Sequence, residues 1–310
     1  MTPSTIAGVE LLTTVQARAA EIIVGKQPQL RLAIACLIGG GHLLIDDVPG
    51  MGKTTLAHTL ARLLGLRFSR VQFTSDMLPA DILGVSVFEG SEAGFVFHPG
   101  PVFSEVVLAD EVNRASPKTQ SALLEAMEER QVTIDGTTRA LPQPFFVIAT
   151  QNPGEQIGTF PLPESQLDRF MMRLELGYPS AEAELELLAG RSRRALLEEM
   201  LPVAGPEQLV AVQAAVETVE TREPVLRYIL ALIRATRASA EVRDGLSPRA
   251  GLALKRAAQA WAYMDERPYV QPEDVQAVFS AVVAHRLRSA DRRPLSAEAV
   301  QGIVEHVAIP

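Results

Sequence analysis

The chain has 310 residues, of which 47% are hydrophobic and only 5% aromatic, and its formal net charge is −8. So much Ala, Leu, Val and Ile can build a real core, suits a helix-rich protein and excludes global disorder. The acidic balance argues against nucleic-acid binding by bulk attraction, though not against a local basic patch.

The N-terminal MTPSTIAGVE has neither the basic start nor the apolar block of an export signal. The most apolar stretch, Leu32–Ile45, is too short to span a bilayer and is broken by Gly39-Gly40-Gly41. A cytoplasmic protein without a membrane span is therefore expected. Cys36, the single cysteine, can form no internal disulfide or cysteine-rich metal site and reads as a small buried apolar residue.

His42–Ile45 reads as a strand, and DDVPGMGKTT follows it directly. The spacing is that of a phosphate loop, Gly-x-x-x-x-Gly-Lys-Ser/Thr, with Asp47 in place of the first glycine. Pro49, Gly50, Met51, Gly52, Lys53, Thr54 and Thr55 would surround the phosphates, presenting backbone N–H groups everywhere except at Pro49. The helix expected over Thr54–Leu64 adds the positive end of its dipole. Lys53 would reach the β- and γ-phosphates, and the Thr54 hydroxyl would bind Mg²⁺. Asp46 and Asp47 are expected at the strand exit, solvated or paired to a base of the C-terminal region. Replacing Asp47 with glycine should then be tolerated.

Phe68–Phe73 is a second strand. Two short apolar runs around Gly90–Gly94 read as a hairpin. The run VVLAD, Val106–Asp110, is a strand that ends in the acidic pair Asp110-Glu111, at the edge where α/β sheets bind ligands. Asp110 could hold Mg²⁺ through its water shell, and Glu111 could orient and deprotonate a water. A helix follows over Pro117–Glu129, then a second hairpin signalled by Asp135-Gly136. Phe145–Thr150 is a strand leading to Asn152. A strand lying between the loop and the acidic pair would point Asn152 at the γ-phosphate. LDRF places Arg169 at the end of a short helix begun near Ser165, where it could reach a neighbouring subunit's nucleotide. Met171–Leu176 is the last strand.

Short, nearly continuous apolar runs alternating with helices imply a doubly wound α/β layer with a parallel sheet. After Tyr178-Pro179-Ser180 the strand signals vanish and four or five helices follow. One opens with Ser247 as N-cap and Pro248 in its first turn, which puts Arg249 where it could fold back onto the γ-phosphate. The expected organisation is an α/β nucleotide-binding domain over residues 1–178 and a smaller all-helical domain over 179–310.

The loop, LADEVNRASPKTQSALLEAMEERQVT, ATQNPGEQIGTFPLPESQLDRF and LSPRA together resemble the MoxR family of AAA+ ATPases, as do QFTSDMLPADILG and FHPGPVFSEVVLADE. The resemblance implies a five-stranded AAA+ core with a helical lid, ATP and Mg²⁺ as ligands, and assembly into a ring, commonly a hexamer. It matches Lys53 and Thr54 to Walker A, Asp110 and Glu111 to Walker B, Asn152 to sensor 1, Arg169 to the arginine finger and Arg249 to sensor 2. Val24 and Gly25, in IIVGK, match the segment lying against the adenine. The hairpins match insertions that face the pore or a partner in relatives. Arg173 is a second candidate finger, and Arg114 a candidate interface residue. An aspartate at position 47 is familiar in this family. The implied role is chaperone-like remodelling or maturation of a client, with a von Willebrand factor A-domain partner. A metal-chelatase motor subunit and a nucleic-acid-stimulated motor are the alternatives, and a non-hydrolysing nucleotide-bound scaffold is disfavoured by Glu111.

Overall fold

The apolar runs form one parallel sheet whose central strands are buried on both faces. In the computed structural model, which describes residues 3–90, 94–152, 158–291 and 293–309, two helices come first, α1 (Pro3–Ala20) and α2 (Gln27–Ile38). Next come β1 (Leu43–Asp46), α3 (Lys53–Leu63), β2 (Phe68–Gln72), α4 (Pro79–Leu83), and the hairpin β3 (Gly84–Phe88) and β4 (Phe95–Pro99). They are followed by β5 (Val106–Asp110), α5 (Pro117–Glu129), the hairpin β6 (Gln131–Ile134) and β7 (Thr137–Ala140), β8 (Phe146–Gln151), α6 (Glu164–Leu167) and β9 (Met172–Leu174). The sheet order is β2-β5-β8-β1-β9, all parallel. Alternate residues of each strand serve opposite faces. Val106 and Leu108 of β5, with Phe146 and Ile148 of β8, join one apolar cluster. Val107, Ala109, Val147 and Ala149 join the other, under Leu123, Leu124 and Met127 of α5.

Both expected hairpins are present. Asp135 and Gly136 carry φ of 51° and 74°, the paired left-handed conformations that a two-residue turn needs. The tip of the first hairpin at 91–93, and residues 153–157 after Asn152, lie outside the described residues.

Among the described residues the C-terminal region holds seven helices, more than the four or five expected: α7 (Ala181–Ala189), α8 (Arg193–Glu199), α9 (Pro206–Glu217), α10 (Glu223–Ala238), α11 (Pro248–Met264), α12 (Pro272–Val283) and α13 (Ala297–His306). Ser247 caps α11 as expected, its side chain accepting from the Ala250 N–H at 3.0 Å. These helices do not pack by themselves. Val9, Leu12, Leu30 and Ile34 of α1 and α2 share one apolar cluster with Leu209, Val212, Leu254 and Tyr263 of α9 and α11. The chain changes character near residue 178, yet its packing does not, because the two N-terminal helices place apolar faces against the C-terminal ones. Cys36 is fully buried as expected, and burial pushes its thiol up. No helix among the described residues is long and apolar enough to cross a membrane.

His42 pins the start of β1. Its Nδ1 accepts from the Val147 N–H at 3.0 Å, and its Nε2 faces the Met127 carbonyl at 3.3 Å, which fixes the neutral tautomer. Burial lowers its pKa from 6.5 to about 4. The unfolded chain therefore takes up this proton near pH 6.5 and the folded chain only near 4, so stability falls as pH falls between them. Midway through that window the loss is about 1 kcal/mol per pH unit. Chemical denaturation of His42→Gln across this range should show a slope shallower than wild type by roughly that amount; parallel slopes would show that His42 does not stay neutral in the fold.

Candidate active site

Every strand of the sheet delivers its C-terminal end to the same edge, and the loops there carry the polar residues. The loop after β1 turns through Gly50 and Gly52, at φ of 87° and 90°. A side chain at either position would be strained, and no atom lies within 4 Å of where a Cβ would sit, so the loop's concave face is open. Gly52 leads straight into α3. Above the loop is a cavity of about 340 Å³ lined by Pro49, Gly50, Gly52, Lys53, Thr54, Thr55, Arg70, Gln72, Asp110, Glu111 and Asn152. Met51 instead packs against the larger apolar cluster, leaving only its backbone for the loop. A helix N-terminus, a lysine and a bare glycine backbone are the donor set that a polyphosphate requires.

Because β8 lies between β1 and β5, Asn152 meets both partners. Its Oδ1 accepts from Lys53 Nζ at 2.8 Å, and its Nδ2 donates to Glu111 Oε1 at 3.0 Å. Lys53 Nζ also donates to the Asp47 carbonyl at 2.5 Å. Burial lowers the lysine's pKa, while Asp110, Asp47, Asp46 and Glu111 pull it back up. Glu111 has a left-handed backbone, φ 58°, which costs about 1–3 kcal/mol for such a residue. It is held there by its N–H on Thr150 Oγ1 at 2.9 Å, and Thr150 in turn donates to Asp110 Oδ1 at 2.6 Å. Arg114, considered for a subunit interface, lies against Glu111 Oε2 at 2.8 Å. The carboxylate is thus aimed from two sides. A divalent cation fits this donor set: Thr54 and Asp110 both line the cavity, and Mg²⁺ ordinarily takes one or two protein oxygens with the rest from phosphate and water.

The arginines lie elsewhere. Arg249, expected to fold onto the chain's own γ-phosphate, instead joins Arg169 on Glu128 at the end of α5. The two line a separate cavity with Gly40, Gly41 and His42, which precede β1. They are therefore separated from the phosphate loop by the length of β1, roughly 13 Å at the usual rise per residue. Asp168 fixes the pair: it accepts from Ser247 Oγ at 2.9 Å and from Arg286 Nε at 2.6 Å. Arg286 also donates to the carbonyls of Phe170 and Met171. The cis reading of Arg249 is corrected because the N-terminus of α11 is bolted to the Arg169 segment. Arg173 is tied to Asp46 at 2.9 Å and to Glu175 at 2.5 Å within the sheet.

Val24 and Gly25 do not line the phosphate cavity. Gly25, at φ 71°, lies so close to α7 that a Cβ would meet Ala183 at 2.8 Å. The next residue, Lys26, donates from Nζ to the Tyr178 carbonyl at 2.5 Å. The sequence reading missed Arg70, Gln72 and Thr150. Only the alternation of β2 and β8, which aims Arg70, Gln72 and Thr150 away from one apolar face, pointed to them.

Asp47, expected to be solvated or paired to a base of the C-terminal region, is instead held by backbone N–H groups. It is 8% exposed. Its Oδ2 accepts from the Gly177 N–H at 2.6 Å and its Oδ1 from the Val48 N–H at 2.8 Å. Its backbone is not left-handed, so the first glycine of the pattern is not needed here for conformation. The carboxylate ties the phosphate loop to the segment leading into the C-terminal helices. Restoring the pattern with Asp47→Gly should cost about 1–2 kcal/mol by stranding those N–H groups and weaken nucleotide binding. Asp47→Asn, which keeps an acceptor, should preserve most of both. Denaturation and nucleotide titration of the two variants decide this, and wild-type stability in Asp47→Gly would return the carboxylate to a solvated role.

Residues 42–172 match the family described as ATPase family associated with various cellular activities (AAA), and residues 234–307 match the AAA lid domain. The chain is 44% identical over 293 residues to the uncharacterized protein YeaC of Bacillus subtilis, covering 93% of this chain and 92% of YeaC. It is 39% identical to Chaperone MoxR1 of Mycobacterium tuberculosis, over 86% of this chain and 72% of that one, and 33% identical to Protein MoxR of Paracoccus denitrificans, over 86% and 85%. A crystal structure of a candidate ATPase from Cytophaga hutchinsonii superposes with a TM-score of 0.89 at 35% identity, covering 99% of this chain and 97% of that one. With the phosphate loop, the acidic strand end and the helical region all matched, the chain belongs to the MoxR family of AAA+ ATPases.

Proposed function

We propose that this ATPase works as a ring, commonly hexameric in its family, that hydrolyses ATP to remodel or mature a client protein or complex together with a von Willebrand factor A-domain partner. One observation carries the ring: Arg169 and Arg249 sit together at the opposite end of β1 from the chain's own Lys53, Glu111 and Asn152. Arg169 and Arg249 then lie away from the chain's own cavity, which Lys53 and Arg70 line, and a neighbour presents them to the transferring phosphoryl group. Both arginines act in trans in this reading.

Within the protomer, Lys53 and the loop N–H groups bind the β- and γ-phosphates. Thr54 and Asp110 would hold Mg²⁺, which supplies neutralisation of the phosphate oxygens when bound. Asn152 positions the Glu111 carboxylate, and Glu111 accepts the proton of the attacking water. Val24 and Gly25 lie against the base. The name of the mycobacterial relative, Chaperone MoxR1, supports a chaperone-like use of the turnover. So does the β3–β4 hairpin, where Phe88 and Phe95 pack together at 5.4 Å while remaining largely exposed. Exposed paired aromatics suit transient contact with another protein.

Glu111→Gln should bind ATP without turning it over, and Arg169→Ala should do the same. Mixed in equal amounts, the two should recover up to about a quarter of wild-type activity, because one interface in four combines an intact pocket with an intact finger. Mixtures as inactive as the separate variants would reject the shared site.

A further inference from the structure

The Walker B aspartate already carries a cation from its own chain. Arg70 stands in the middle of β2, the edge strand beside β5. Its Nη2 and Nε donate to Asp110 Oδ2 at 2.7 and 3.2 Å, and Nη2 also donates to Gln72 Oε1 at 3.2 Å. Asp110 is buried and its other oxygen accepts from Thr150. Both carboxylate oxygens are thus engaged within the protein. Arg70 differs from Asp110 in one respect that matters: its side chain is half exposed and lines the phosphate cavity, so it can leave.

We propose that Arg70 is a movable counter-ion of Asp110, competing with the divalent cation for Oδ2 and swinging to the phosphate chain when the cation takes that oxygen. The inference rests on the nucleotide-site reading above. Its physical basis is charge balance. Asp46, Asp47, Asp110 and Glu111 all lie at the edge of the sheet that carries Lys53. Asp46 has Arg173, and Asp47 has two backbone N–H groups. Asp110 has Arg70. A guanidinium holds a carboxylate by directed N–H bonds, while a hydrated divalent ion brings twice the charge. The two cannot both use Oδ2 fully, so metal occupancy frees a cation that points into a cavity built for anions. Edge-strand placement makes the exchange possible, because among the described residues no further strand covers Arg70 on its outer side.

Two opposite effects follow from removing the arginine's charge. Without Mg²⁺ the site loses a cation and should hold nucleotide less well. With Mg²⁺ the ion meets no competitor and should be taken up at lower concentration. Arg70→Met keeps the bulk and removes the charge, and Arg70→Lys keeps the charge but not the fork. Binding of fluorescent ADP should be measured in EDTA and across a Mg²⁺ titration, with thermal unfolding as a control. Arg70→Met should bind ADP about three- to fivefold more weakly in EDTA, the range expected for losing a half-exposed ion partner. The Mg²⁺ concentration giving half the tightening should drop by a similar factor, with Arg70→Lys between. An unchanged Mg²⁺ midpoint, with or without lower stability, would overturn the proposal and leave Arg70 a structural partner of β5. If wild type itself binds no ADP, the nucleotide-site reading fails instead.

Discussion

The contact of Asn152 with both Lys53 and Glu111 depends on where one strand sits. β8 runs between β1 and β5, so the residue that leaves β8 falls between the lysine of one neighbour and the glutamate of the other. Thr150, two residues earlier on the same strand, ties down Asp110 and the strained backbone of Glu111. A single strand thereby fixes the spacing of cation, amide and carboxylate across the sheet. The glycine loop could adopt its conformation elsewhere, but only this strand order sets the acidic pair opposite it.

Charge is organised in the same local way. At the loop edge of the sheet Asp46, Asp47, Asp110 and Glu111 each have an identified partner, and the partners differ in freedom. Arg173 is confined within the sheet, Gly177 presents a backbone N–H, and Arg70 reaches in from solvent. The phosphate loop is consequently tied through Asp47 to the start of the helical region, while Lys26 grips the adjacent Tyr178 carbonyl. Two consecutive residues, Gly177 and Tyr178, are thus held by Asp47 of the loop and by Lys26.

The other end of the sheet has the complementary arrangement. Arg286 is almost entirely buried, and burial lowers its pKa while Asp168 raises it back. Its bonds to Asp168, Phe170 and Met171 lock α12 and the start of α11 to the segment bearing Arg169. The apolar cluster shared by α1, α2, α9 and α11 reinforces this, since separating the helical region would expose buried leucines and alanines to water. The arginine pair is therefore presented as a fixed unit.

Much of this was legible in the sequence. Buried strands announce themselves as apolar runs, Gly50 and Gly52 permit the left-handed backbone of the loop before Lys53, and Asp135-Gly136 suits one kind of turn; these are properties of neighbours along the chain. Arg70, Asp47 and Arg249 were not legible in the same way, since each is decided by a residue far off in sequence: Asp110, Gly177 and Glu128. Composition and spacing alone determined the α/β core, the phosphate loop and the acidic strand end, because local backbone preference and hydrophobic period suffice for them. The tertiary structure alone decided which cation meets which carboxylate and that Arg249 faces away from its own loop, because ion pairs form by proximity in space, and proximity is set by how the helices pack on the sheet.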